Sequence, residues 1–271
     1  MKKKCMYVLV FLLMFSSVFS IKAEAAERAV RKDNVIYYSI GTKSVQYNLK
    51  TKSKKVIHKD GTYRFLTKGK NVFCTYTAEP ASQDPDSYVY RLGDNGKKKK
   101  KLAYGQLMGI LGKHIYYIGF RKTIDGYVER TGIYQMNLDG SKKKRIYKSA
   151  NTYSEKMSGS VITFYETNAQ YETEEKKLNV KTGEIKVSAP TYTSKKNKNG
   201  KYSFKGKKVY QTKNGKKTLV TSLKQNVDEV VDLNDYVLVI TTKEYTGYVY
   251  LVKNNGKKKK LLETFTLAQI W

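Results

Sequence analysis

Carboxylates and tyrosines recur together in the segments that we expect to join the second and third strands of a repeated unit. Ten acids lie there: Glu79, Asp84, Asp86, Asp125, Glu129, Glu166, Glu172, Glu174, Glu175 and Glu244. Tyrosines accompany them in three of these segments. Acids beside aromatic rings are typical of sites for cations or sugars. The expected ligand-binding residues are Asp84, Asp125, Tyr127, Tyr171, Glu172, Glu244 and Tyr245, although long solvated loops would have the same composition.

Catalytic chemistry has little support in the residue pattern. A glycosidase needs two carboxylates at a set separation, and Asp125 could pair with Asp84, Asp86 or Glu172, but nothing in the spacing selects a pair. Cys74, the one cysteine beyond the N-terminal segment, has no histidine in a triad-like context. Neither zinc-ligand spacing nor a calcium loop occurs. We therefore expect a protein that is not an enzyme and that holds no metal and no cofactor.

Lysines cluster after the predicted hairpin turns, in a chain with a formal net charge of +30. Such a cluster could bind a polyanion, or it could protect the exposed edge of an outer strand from aggregation. Both interpretations stay open, because protection needs fewer lysines than the chain carries. Lys54, Lys55, Lys216 and Lys217 belong to shorter clusters. The expected polyanion-binding residues are Lys97, Lys98, Lys99, Lys100, Lys142, Lys143, Lys144, Lys257, Lys258 and Lys259.

These clusters belong to a repeated β-hairpin. Residues 132–146 alternate between two faces, turn at Asp139-Gly140 and return through the lysines. Matching positions are Tyr47, Tyr90, Tyr134, Asn179, Tyr210 and Tyr250, which lie 43, 44, 45, 31 and 40 residues apart. With preceding strands, this gives about four strands per repeat. The pattern predicts an all-β, six-bladed β-propeller.

The segments Ile115-Tyr-Tyr and Ile133-Tyr-Gln-Met-Asn-Leu-Asp-Gly-Ser resemble the repeat of six-bladed propellers of the low-density lipoprotein receptor and TolB-like kinds. They look especially similar to a propeller domain of unknown function in secreted clostridial proteins. The match covers one blade closely and the others in pattern. Tyr117 is followed by Ile118 rather than by the receptor's Trp-Thr-Asp, so the resemblance implies the fold and no ligand residues.

The N-terminal 25 residues read as a secretory signal peptide, with Lys2–Lys4, an apolar run and Ala23-Glu24-Ala25. The apolar run is too short to span a membrane. We expect one propeller domain over residues 26–271, without a stable membrane span after cleavage. We also expect the C-terminal residues 266–271 to form the inner strand of the first blade, paired with residues 34–38.

Together these patterns indicate a secreted or cell-envelope protein, which we expect to be a monomer. The expected partners are an anionic envelope polymer or an extracellular protein, and not nucleic acid, because no nucleic-acid module is present. The leading hypothesis is a non-enzymatic binding or scaffold propeller. A lectin or carbohydrate-active enzyme that uses the acidic loops is the alternative, and protein–protein recognition is a third.

Overall fold

The computed structural model describes residues 24–25, 28–40, 43–58, 64–77, 86–93, 99–149, 152–167, 172–188 and 201–266, and this part of the chain contains strands and turns but no helix. The strands are β1 (Glu24–Ala25), β2 (Ala29–Lys32), β3 (Val35–Ile40), β4 (Lys43–Asn48), β5 (Lys54–His58), β6 (Phe65–Lys68), β7 (Asn71–Thr77), β8 (Ser87–Leu92), β9 (Lys99–Leu111), β10 (His114–Lys122), β11 (Val128–Asn137), β12 (Lys144–Tyr147), β13 (Thr152–Ser158), β14 (Val161–Thr167), β15 (Thr173–Asn179), β16 (Ile185–Ser188), β17 (Tyr202–Lys205), β18 (Lys208–Lys213), β19 (Lys216–Ser222), β20 (Val227–Asp232), β21 (Tyr236–Lys243), β22 (Thr246–Lys253) and β23 (Lys259–Thr266).

Within the described residues the strands form five antiparallel sheets, in which every strand except β1 pairs with a strand adjacent to it in the chain. We call each such run a meander. Four sheets are single meanders: β2–β5, β13–β16, β17–β19 and β20–β23. The fifth sheet contains two meanders, because β9 pairs with β8 up to Tyr104 and with β10 from Gly105 onward. In chain order, the first to sixth meanders are therefore β2–β5, β6–β9, β9–β12, β13–β16, β17–β19 and β20–β23.

A β-bulge marks the outer strand of five of the six meanders. In each case one apolar residue of that strand is inserted opposite the third strand, and these residues are Ile57, Leu102, Ile146, Val220 and Leu262. A bulge increases the local twist of a strand pair. The bulge at Val220 identifies β19 as an outer strand, so β17–β19 are the second to fourth strands of the fifth meander. The residues before β17, at 189–200, lie outside the described part of the chain.

The core consists of apolar clusters, each shared by two meanders. Four clusters join meanders that follow each other in the chain: first and second, second and third, third and fourth, and fifth and sixth. A further cluster joins the first meander to the sixth, with Ile36 and Tyr38 on one side and Leu238 and Val249 on the other. All four side chains are fully buried. The first and the last meander of the chain therefore pack together.

Ion pairs reinforce this contact between the first and sixth meanders. Arg31 Nη1 lies 2.9 Å from Asp235 Oδ2 and Arg28 Nη1 lies 3.3 Å from Glu229 Oε2. Glu263 binds two lysines, with its oxygens 3.0 Å from the Nζ of Lys43 and 2.8 Å from that of Lys54. The side chain of Glu263 is only 11% exposed, so these contacts are less screened by solvent than ordinary surface pairs.

The expected closure by the C-terminal residues is wrong. β3 pairs with β2 on one side, with Ala29 opposite Tyr38, and with β4 on the other. Both edges of β3 are thus occupied, and the charged segment Ala29–Lys32 is the inner strand. Thr266 ends β23, the outer strand of the sixth meander, and residues 267–271 lie outside the described part.

The expected signal peptide lies almost entirely outside the described residues, which begin at Glu24. Glu24 and Ala25 form β1, which pairs with Ile110 and Gly109 of β9. Across the described part of the chain, no helix has the length and hydrophobicity that crossing a membrane requires.

The Glu263 contacts predict a pH dependence of stability. Partial burial favours the protonated acid, but hydrogen bonds from Lys54 and Lys43 outweigh it and lower the pKa of Glu263. A carboxylate whose pKa is lower in the folded state stabilises fully above its unfolded value of about 4.3 and loses this contribution as pH falls through the folded value. We expect Glu263→Gln to reduce the unfolding free energy at pH 7 and to flatten its fall below about pH 5.

Urea unfolding between pH 3 and 7 measures this effect. Glu229→Gln is the matched control, because it removes the same charge from the same contact at a more exposed pair. Asp86 and Glu166, whose pKa values are also lowered, keep their own contributions in both variants. Identical pH profiles for the two variants would contradict the assignment.

Candidate functional site

The predicted lysine clusters lie at one end of the sheets. In an antiparallel meander the turn between the first and second strands and the turn between the third and fourth strands are at the same end. Hydrogen bonds show this directly, since Leu49 N after β4 donates to Asn34 O before β3 (2.7 Å), and Asn254 N after β22 donates to Asp235 O before β21 (3.0 Å). We call this the basic end.

The turn of the third meander is seated on the outer strand of the second. Lys100 Nζ donates to Asp139 O at 3.2 Å. Gly140, at φ +90°, lies so close to the bulge residue Leu102 that an added Cβ would be 3.0 Å from its Cδ2. This contact brings the lysines of β9 and those of the β11–β12 turn together, although they are about 40 residues apart in sequence.

Carboxylates do little to balance the positive charge of the lysines in this turn. The carboxylate of Asp139 accepts hydrogen bonds from the Ser141 hydroxyl (2.7 Å) and the Ser141 N–H (2.8 Å), and these bonds lower the pKa of Asp139. Lys142, Lys143 and Lys144 are exposed. Among the described residues, no carboxylate forms an ion pair with any of them.

The sixth meander repeats this arrangement on the fifth. A Cβ at Gly256 would lie 2.2 Å from the carbonyl oxygen of the bulge residue Val220. Lys259 Nζ donates to Ser222 O at 3.4 Å. On its other side, Lys260 Nζ donates to the Tyr47 hydroxyl at 2.8 Å and lies 4.8 Å from the centre of that ring. Lys257, Lys258 and Lys259 are exposed.

The remaining lysines of the expected set are only partly visible. Lys97 and Lys98 lie outside the described residues. Lys99 begins β9, and Lys100 beside it is exposed. The described lysines of the set therefore belong to two places at the basic end, where the second and third meanders meet and where the fifth, sixth and first meanders meet.

The expected acidic site is spread over separate turns at the opposite end. Asp125 and Tyr127 are exposed in the turn between β10 and β11, where Tyr127 N donates to Thr123 Oγ1. Glu172 is exposed next to β15, and Glu244 and Tyr245 form the exposed turn between β21 and β22. Asp84 and Tyr171 lie outside the described residues. A ligand site here stays a prediction, and no three acids, histidines or cysteines of the described part converge as metal ligands.

An aromatic row that we did not predict crosses the second meander near this end. Tyr76, Tyr88 and Tyr104 are register partners on adjacent strands. Asp86 accepts a hydrogen bond from the Tyr104 hydroxyl at 2.7 Å and lies 2.8 Å from Lys122 Nζ. Partial burial opposes ionisation, but the bonds from Lys122 and Tyr104 lower the pKa of Asp86. The alternation in the three strands carried this signal, although the pairing register that aligns them is not visible in sequence.

A second unpredicted cluster joins the third and fourth meanders. Glu166 Oε2 accepts from the Tyr147 hydroxyl and from Lys176 Nζ, both at 2.6 Å. Glu166 is 15% and Lys176 18% exposed. Burial opposes the charge on each side chain, but their mutual hydrogen bond outweighs it, lowering the pKa of Glu166 and raising that of Lys176. The three groups satisfy one another, so the cluster stabilises the contact between meanders.

Comparisons with known proteins identify no family. No family model matches the chain, and no curated protein matches it. Solved structures with a similar course of chain include a nidogen/laminin complex, with a TM-score of 0.39, 11% identity, and coverage of 90% of this chain and 80% of the other. For an oligogalacturonate lyase in complex with manganese the TM-score is 0.40 and the identity 11%, and the match covers 82% of this chain and 74% of the other. For TolB from Acinetobacter baumannii the TM-score is 0.36 and the identity 14%, and the match covers 87% of this chain and 53% of the other. That this chain is all-β follows from its own strand pairing and not from these similarities.

Proposed function

We propose that the six meanders are the blades of a six-bladed β-propeller. The shared apolar clusters support a circular order, because the first meander packs on the second and also on the sixth. A row of sheets without closure would leave Ile36 and Leu238 exposed at its two ends, and both are fully buried. Burial of such side chains contributes about 1.5–3 kcal/mol each, which favours the closed arrangement.

We further propose that this protein is a secreted or cell-envelope protein that binds an anionic polymer along its basic end and catalyses no reaction. The observation that carries the proposal is the seating of lysine-bearing turns on neighbouring blades, through Lys100 and Asp139 and through Lys259 and Ser222. Ammonium groups from different blades thus form patches longer than one hairpin. A positive patch of this kind attracts polyanions at long range and is weakened by salt.

Edge protection does not explain all of these lysines. β12 begins at Lys144 and β23 begins at Lys259. Lys142, Lys143, Lys257 and Lys258 therefore lie in turns rather than on strand edges. Lysine protects an edge by charging the strand that another strand would pair with, so these four side chains have no such role. Their position favours contact with a ligand.

Replacing the four turn lysines tests the proposal. In the variant Lys142→Gln, Lys143→Gln, Lys257→Gln, Lys258→Gln, we expect binding to immobilised teichoic acid or heparin to weaken about fourfold or more, since exposed charge contacts contribute roughly 0.2–1 kcal/mol each. The salt dependence of retention should also decrease. Folding should persist, because exposed substitutions usually change stability by less than about 0.5 kcal/mol.

The chain offers a control with the same loss of charge. Lys205, Lys207, Lys208 and Lys243 are exposed at the opposite end, around the turns between second and third strands of the fifth and sixth meanders. Replacing these four by Gln should leave retention close to that of the wild type. Equal weakening in both variants would reduce the effect to net charge, and no retention of the wild type on either polymer would overturn the proposal.

A further inference from the structure

A small cavity opens at the basic end between the first and second meanders. Its volume is about 330 Å³, which is within the usual range for small-ligand pockets. Val35, Tyr37 and Val72 line it, and all three side chains are buried. We call these three buried residues, two of them aliphatic and one aromatic, the floor of the cavity, which opens among charged turns.

Cationic and amide groups surround this floor. Lys32 comes from the turn between β2 and β3, and its Nζ lies 2.8 Å from the Asp33 carboxylate. Lys70 comes from the matching turn between β6 and β7 and is exposed. Among the described residues no carboxylate forms an ion pair with Lys70, so Lys70 contributes a positive charge that no described acid of the lining balances.

The amide of Asn48 is oriented by its own turn. Its Oδ1 accepts hydrogen bonds from Lys50 N (2.8 Å) and Thr51 N (3.1 Å). Because the oxygen is used in this way, the NH₂ group is left as a donor for a ligand. Asn34 contributes a second amide to the lining.

We propose that this cavity binds one anionic sugar unit, such as a uronate or a sugar phosphate. The apolar floor suits the C–H face of a sugar ring, the amides suit its hydroxyl groups, and Lys70 suits its carboxylate or phosphate. A neutral sugar would leave Lys70 without a partner, and a bare inorganic anion would leave the floor uncovered. Both features together select a sugar that carries a negative charge.

This inference rests on the proposed function, since the cavity and the lysine turns share the basic end. Asn48 ends β4, immediately before the turn that carries Lys50 and Lys52. A polymer held along the turns can therefore place one of its units in the cavity. The patch would then supply long-range attraction, and the cavity would supply selection among polymers of equal charge.

Titration of the whole protein with four probes tests the assignment: glucuronic acid, glucose 6-phosphate, glucose and inorganic phosphate, followed by NMR. We expect the two anionic sugars to bind at least tenfold more tightly than glucose or phosphate. Lys70→Gln should weaken their binding fivefold or more. Lys113→Gln is the matched control and should change it less than twofold, because Lys113 also follows a positive-φ glycine, Gly112, in the corresponding turn of the third meander.

The outcomes separate this inference from the proposed function. If the polymer is retained but none of the sugars binds, or glucose binds as well as the anionic sugars, the inference is overturned and the basic end keeps its role. If the anionic sugars bind in a Lys70-dependent manner but the polymer is not retained, the proposed function fails and the cavity stands. Equal effects of Lys70→Gln and Lys113→Gln would also overturn the inference.

Discussion

Replacing Gly105 by Ala should destabilise the protein by about 2–6 kcal/mol, which combines the cost of overpacking with that of a strained backbone, each roughly 1–3 kcal/mol. Gly105 has φ +144°, and an added Cβ would lie 1.8 Å from the carbonyl oxygen of Ile118. It stands where β9 changes its partner from β8 to β10, opposite Gly119. The two meanders that share β9 would therefore both be distorted. Urea denaturation at neutral pH measures the change.

Gly112→Ala provides the comparison. Gly112 also has a positive φ, of +62°, but nothing lies within 4 Å of the Cβ that Ala would add. Only the backbone cost applies there, about 1–2 kcal/mol. If the two variants were equally stable, the close approach between β9 and β10 at Gly105 would be absent in solution.

A double-mutant cycle should show that the first and sixth meanders are energetically coupled. Alone, Ile36→Val should cost about 0.5–1.5 kcal/mol and Leu238→Ala about 2–5 kcal/mol. Both residues belong to the cluster that joins these meanders. Since neighbours in one cluster relax into each other's cavities, we expect the double variant to deviate from additivity by about 0.5 kcal/mol or more.

In the control cycle, Ile162 is mutated instead of Ile36. Ile162→Val makes the same chemical change at an equally buried site, but in the cluster between the third and fourth meanders. Combined with Leu238→Ala, it should be additive within about 0.5 kcal/mol. Additivity in both cycles would contradict the packing of the first meander on the sixth, and with it the closed propeller that we propose.

The strands and their order could be predicted from the sequence because their signals are local. Alternation of apolar residues and turns such as Asp139-Gly140 depends on neighbours within about ten residues. The hairpin in residues 132–146 was expected and is present as β11 and β12. The same holds for the fifth meander, where the expected hairpin strand at Tyr210 is β18.

Contacts between distant parts of the chain were beyond that reasoning. The C-terminal residues are the inner strand that the sequence predicts for the first meander, yet β2 occupies this position. Arg31 of β2 and Arg28 just before it are tolerated there because Asp235 and Glu229, about 200 residues away, compensate them. Neither the partners nor their distance can be seen in the local composition.

The candidate sites divide in the same way. The lysine clusters were visible as runs of one residue type, but their seating on neighbouring outer strands depends on the bulge residues Leu102 and Val220. The cavity at Lys70 could not be predicted, since its lining comes from four separate segments of two meanders. Local sequence identified which groups carry charge, and packing determined which of them share a surface.

The contact between Arg31 and Asp235, which are 204 residues apart, also determines when the fold can be completed. Contacts of high sequence separation require closure of a long loop, whose entropic cost precedes any gain from packing. The second to fifth meanders can form from local hairpins, but the first has its full set of neighbours only after the last has formed. We expect refolding to end in a slow step that buries Ile36 and Leu238 together. Until that step, the apolar surfaces of the first and sixth meanders that face each other in the folded protein stay exposed to solvent and to other proteins.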